Sequence, residues 1–112
     1  MEPFEMFKNL MVMAAADQKF TEEEIAFLSM RSSRWGLTDA QFDEALQYVA
    51  SGRQEMTYPE SREQRLMLLR NLLQIMAADG EVAPVEKRLF AEASARMEIT
   101  GEELDRLIDE LV

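Results

Sequence analysis

Residues 4–50 lie on residues 66–112 at a constant offset of 62 without a gap, and polarity and turn residues agree along the whole register. Asn9 falls on Asn71, Leu10 on Leu72, Ala15-Ala16-Asp17 on Ala77-Ala78-Asp79 and Glu24 on Glu86. Further on, Ser32, Arg34, Thr38 and Asp43 fall on Ser94, Arg96, Thr100 and Asp105. Apolar positions keep step as well, with Phe4/Leu66, Phe7/Leu69, Met11/Leu73, Phe27/Leu89, Leu28/Phe90 and Phe42/Leu104. Two copies are too few for a solenoid, so the register predicts one closed domain whose halves are related by pseudo-two-fold symmetry.

Each copy reads as three helices. The first pair is expected at about Pro3–Ala16 and Glu60–Ala78, with Phe4, Phe7, Leu10, Met11 and Ala14 at helical spacing and Pro59 at the second start. The second pair covers about Glu22–Trp35 and Pro84–Met97. Thr21-Glu22-Glu23-Glu24 is a capping box, and Gly36 suits the left-handed residue that closes a helix. Thr38–Gln41 and Thr100–Glu103 are matching boxes that open the third pair. Their apolar stripes are Phe42, Ala45, Leu46, Val49 and Leu104, Leu107, Ile108, Leu111. The fold class is therefore all-α with about six helices: repeat one at 4–50, a linker at 51–58 and repeat two at 59–112, forming one domain over 1–112.

Composition narrows the chemistry. The chain has neither Cys nor His, which removes thiolate sites, the usual neutral-pH base and the commonest transition-metal ligand. Any metal must be held by oxygen, which favours Ca²⁺ or Mg²⁺. A net charge of −10 repels phosphate backbones and anionic lipid, so neither nucleic acid nor direct membrane insertion is expected. No apolar run approaches the ~20 residues of a membrane span, and no secretory signal opens the chain; a cytoplasmic protein is expected. Glycine-rich phosphate loops, nucleophile elbows and zinc spacings are missing, so an enzyme is not expected.

One motif recurs with chemistry in it. Asp17 and Asp79 close the first helix of each copy, and Glu24 and Glu86 follow seven residues later. The intervening loop reverses the chain, so each carboxylate pair can converge at a helix–loop–helix corner. Two readings stand side by side. In one, four carboxylates form a divalent-cation or basic-partner site. In the other, the Glu residues are caps and the Asp residues turn formers. Ala83 lacks the hydroxyl of a full box, yet Glu86 is still there and can reach the Ala83 N–H. An EF-hand is excluded, since glycine is second and the closing Glu eighth in a loop that needs them sixth and twelfth.

The run Ala77-Ala-Asp-Gly-Glu-Val-Ala-Pro-Val-Glu-Lys87, preceded by a Leu/Met helix and echoed upstream, closely resembles the TerB-like tellurite-resistance family from about Phe4 to Val112. The resemblance implies an all-helical domain with an internal repeat, found alone or attached to membrane-tethered co-chaperones and stress proteins. It also implies a divalent-cation or partner site at Asp17, Glu24, Asp79 and Glu86. Gln18 stands where the family carries glycine, so a differently shaped first loop is expected.

Together these features predict a non-enzymatic accessory domain of stress response that binds Ca²⁺ or Mg²⁺, or a protein partner such as a membrane-associated stress complex, through its acidic corners. The alternative is a metal-free module that recognises a partner helix or basic segment. The nine methionines suit core filling or an adaptable groove, and Trp35 a partly buried position. Arg34 and Arg96 are expected at solvated helix ends.

Overall fold

The computed structural model describes residues 1–78, 80 and 82–111. Six helices follow one another: α1 Pro3–Ala15, α2 Glu22–Arg34, α3 Asp39–Ala50, α4 Arg62–Met76, α5 Pro84–Arg96 and α6 Gly101–Leu111. The element pattern repeats at the offset of 62, since α2 and α5 match residue for residue and α3 and α6 start in step. The one displaced start is α4. Ser61, not Pro59, caps it: the Ser61 side chain accepts from the Gln64 N–H, and Pro59 lies buried in the preceding segment. There the Pro59 carbonyl accepts from Arg65 Nε at 2.9 Å.

The two long first helices occupy the middle. Every residue from Asn9 to Ala14 is buried, because the run Leu10-Met11-Val12-Met13-Ala14 presents apolar surface all round and only a fully enclosed helix accommodates that. α4 turns Leu68, Leu69, Leu72, Ile75 and Met76 inward. α1 packs on α2, α3 and α4, while α4 packs on α2, α5 and α6. Leu28, Ala45, Phe90, Ala93, Met97 and Leu107 close the core from the outer helices. Phe7 and Phe42 add a tilted ring pair at 5.5 Å. Met6, Met11, Met13, Met76 and Met97 are buried, so core filling accounts for most of the methionines. Trp35 is half-buried, and Arg34 and Arg96 are exposed at helix ends.

The linker is fastened to the core. Buried Asn9 donates through Nδ2 to the Thr57 carbonyl at 2.6 Å and accepts from the Thr57 N–H at 2.9 Å. Tyr48 donates through its hydroxyl to the Glu55 carbonyl at 2.8 Å. Asn71, the counterpart of Asn9, has no second linker to bind. Its Nδ2 donates back to the Met67 carbonyl at 2.8 Å, and its Oδ1 is buried with no hydrogen-bond partner among the described residues.

Helix ends also repeat. After α2, the Leu37 N–H donates to Ser32 O and the Gly36 N–H to Ser33 O; after α5, Ile99 donates to Ser94 O and Glu98 to Ala95 O. Both closures require a left-handed residue, supplied by Gly36 at φ 70° and by Glu98 at φ 56°.

Candidate functional site

The first corner joins α1 to α2. After α1, the Gln18 N–H donates to Ala15 O at 2.9 Å, and Gln18 takes φ 63°. Asp17 then uses Oδ1 to accept from the Lys19 N–H at 3.0 Å, the short-range turn bond typical of this side chain. Thr21 and Glu24 complete the expected box. Glu24 N donates to Thr21 Oγ1 at 3.1 Å, while Glu24 Oε1 accepts from the Thr21 N–H at 3.0 Å and from its hydroxyl at 3.2 Å.

The second corner joins α4 to α5. Gly80 takes φ 80° and donates to Ala77 O at 3.1 Å, repeating the geometry of Gln18. At this one position the expected difference in loop shape is not seen; the neighbouring Asp79 and Glu81 lie outside the described residues. Gln18 adopts the glycine-like conformation at the same place with the same hydrogen bond, because the turn geometry outweighs the steric cost of a side chain in the left-handed region. Glu86 Oε1 accepts from the Ala83 N–H at 2.9 Å, so half of a box forms where Ala83 offers no hydroxyl. Asp79 lies outside the described residues.

The two glutamates are buried, which the capping pattern does not announce. Glu24 is 3% exposed and Glu86 4% exposed. The capping role does not require full burial, since Gln41 and Glu103 perform it for α3 and α6 from positions that are only partly buried. Burying a carboxylate costs free energy unless donors or a cation compensate. The signal in the sequence is the apolar residue four places on, Leu28 after Glu24 and Phe90 after Glu86, which puts each glutamate on the inward face of its helix. Among the described residues, no three acidic side chains are arranged to hold a metal ion.

Beside the first corner lies an open cleft lined by Ala15, Gln18, Phe20, Leu46, Val49 and Ala50. Phe20 and Leu46 are large apolar residues left exposed at its walls. Across the molecule, Arg31 ties α2 to α4: its Nη2 donates to Gln74 Oε1 at 2.8 Å, and its guanidinium lies over the rings of Phe27 and Trp35 at 4.9 and 5.6 Å. Burial, and then the neighbouring Arg34 charge, lower its pKa from the usual guanidinium value. No helix among the described residues is long and apolar enough to cross a membrane.

Both corners, with their matching turns and capping glutamates, fall within a match to a known family: the family described as tellurite resistance protein TerB covers residues 10–109. The chain belongs to the TerB family. The match spans all of α2 to α5, the C-terminal part of α1 from Leu10 on and most of α6, so the TerB region takes in most of the helical domain. No curated protein and no solved structure gives a match.

Proposed function

We propose that this TerB domain is a non-enzymatic accessory protein of a tellurite- or stress-response system, acting in the cytoplasm. It uses its acidic corners to bind a divalent cation, Ca²⁺ or Mg²⁺, or a protein partner. The observation that carries this reading is the matched burial of Glu24 and Glu86, each carrying a carboxylate into the interior of a chain with net charge −10. Both carboxylates already accept hydrogen bonds, Glu24 from Thr21 and Glu86 from the Ala83 N–H, so the reading rests on the matched placement of two buried hard-oxygen groups and not on any lack of partners. Asp17, Glu24, Asp79 and Glu86 are the proposed donors, all hard oxygens that suit these two ions. The chain offers no His or Cys for acid–base or nucleophilic chemistry, which supports a binding role.

The test is a Ca²⁺ titration followed by amide chemical shifts, with Mg²⁺ in parallel. Saturable shifts confined to residues 17–24 and 79–86 are expected, and Asp79→Asn with Glu86→Gln should abolish them. The side-chain amide oxygen introduced by Glu86→Gln keeps the acceptor for the Ala83 N–H, so the fold survives the exchange. Flat spectra to millimolar ion would remove the cation reading.

A second reading is favoured by a separate observation. Phe20, Leu46, Val82 and Ile108 remain exposed, which suits a metal-free module recognising a partner segment.

A further inference from the structure

Among the described residues, four of the seven large apolar side chains left exposed fall into counterpart pairs of the repeat, whereas Ile25, Met30 and Met67 have no apolar counterpart. Phe20 and Val82 are counterparts at the offset of 62, and each is 37% exposed. Leu46 and Ile108 are also counterparts, at 38% and 40%. The copies share few identical residues, yet both leave an apolar residue uncovered at the same corner-loop position and the same third-helix position. The stripes on α3 and α6 are thus wider than the domain covers. Ala45 and Leu107 face the core, and Leu46 and Ile108, one residue on, overhang its edge.

The charges beside these residues recur too. Asp43 precedes Leu46 by three residues and Asp105 precedes Ile108 by three, so each third helix carries an exposed carboxylate directly next to its exposed aliphatic. α3 adds exposed Asp39 and Glu44 and contains no basic residue; on α6, Glu110 pairs with Arg70 at 3.0 Å, Glu102 with Arg106 at 3.4 Å and Glu103 with Arg62, which leaves Asp105 and Asp109 without an ion pair among the described residues. The loop side of the first surface is flanked by exposed Glu22 and Glu23. Of the nearby cations, Lys8 and Arg53 both lie over the Tyr48 ring, at 4.6 and 5.7 Å. A second copy of this chain would bring acidic rows together at a net charge of −10 each, which opposes self-association.

We propose that the Phe20–Leu46 cleft and its counterpart at Val82 and Ile108 are paired docking surfaces for an amphipathic partner helix whose Lys or Arg residues flank aliphatic ones at helical spacing. The aliphatic side chain of the partner enters beside Leu46 or Ile108, and its cation pairs with Asp43 or Asp105. This deepens the interaction reading above by naming a surface and the chemistry of its partner, and it makes no use of a bound ion.

The experiment titrates the full chain with a synthetic helical peptide of about 18 residues, built from Leu and Lys at i, i+3, i+4 spacing, and follows amide shifts without divalent ions. Saturable shifts are expected at residues 18–20, 43–50 and 105–110, with affinity falling as salt rises. Leu46→Lys and Ile108→Lys should each weaken binding at its surface by about tenfold, the loss expected from uncovering one aliphatic side chain. Ile25→Lys makes the same charge change on α2 and should leave affinity within about twofold, the range of a remote surface charge. Equal weakening by Ile25→Lys, shifts confined to other residues, or flat spectra to millimolar peptide would each overturn the proposal. Loss of binding in Glu24→Gln with Glu86→Gln, but not in Leu46→Lys, would keep a partner and move it to the corners. A concentration-dependent dimer broken by Leu46→Lys would assign the surface to a second copy instead.

Discussion

Glu98 offers a measurement with its own internal control. It closes α5 at φ 56° with the same pair of backbone hydrogen bonds that Gly36 makes at φ 70° after α2. A side chain in the left-handed region costs about 1–2 kcal/mol relative to the right-handed helix, whereas glycine incurs about 0.5–1 kcal/mol of extra chain entropy on folding. The difference puts Glu98→Gly at about 0.5–1 kcal/mol more stable than the natural chain. For a domain of this size that is a rise of about 2–5 °C in Tm, or a higher urea midpoint at unchanged slope. Glu98 is exposed and makes no ion pair among the described residues, so side-chain loss adds little. Glu98→Ala removes the charge but keeps the strain, and should be near neutral. The mirror experiment is Gly36→Ala. Nothing lies within 4 Å of a Cβ placed there, so its expected loss of about 1 kcal/mol is purely conformational. If Glu98→Gly proves no more stable than Glu98→Ala, the reasoning from backbone geometry is refuted.

Asn9→Ala should destabilise by about 2 kcal/mol, two net hydrogen bonds to the linker, while Asn71→Leu should be neutral or stabilising because it removes a buried acceptor lacking a partner among the described residues. Urea midpoints of both variants check this, and equal losses would contradict the asymmetry. Thr21→Ala should cost about 1 kcal/mol, since it leaves α2 with the half box that α5 already has at Ala83. Thermal unfolding reads that loss. Burial, and then the Glu92 charge, raise the pKa of Tyr58 above its ordinary 10.0, against an opposing contribution from Arg96. The folded state therefore favours the protonated phenol. That stability is whole below the ordinary pKa and is lost as pH rises through the folded value, so Tyr58→Phe should flatten the alkaline decline of the urea midpoint.

Much of the fold is legible because its signals are local. Thr21, Thr38 and Thr100 announce helix starts through hydrogen bonds within one turn, and all three boxes form. The start of α4 falls at Ser61 and not at Pro59, because a proline fits both a first helical turn and an extended lead-in; Arg65 settles the competition by binding the Pro59 carbonyl. Glu24 and Glu86 stand out in the sequence as residues but not as buried ones, since burial depends on what packs over the helix. Leu46 and Ile108 look like core for the same reason. A stripe shows which face turns inward and not how far its neighbours extend over it. Gln18 misleads because residue preference competes with a turn whose geometry its own backbone hydrogen bond already fixes.

The enclosure of α1 and α4 gives the chain joining them a role beyond connection. Either three-helix half alone would leave the inner face of its long helix in water, so neither is expected to be a stable monomer. The segment between Ala50 and Arg62 keeps the halves at an effective concentration of the order of millimolar, which makes the domain an intramolecular heterodimer. Cleaving it between exposed Gly52 and Arg53 should yield two fragments that are unfolded apart and regain helicity on mixing. Asn9 of one fragment would then hold Thr57 of the other, and folding would acquire a dependence on concentration that the intact chain does not have.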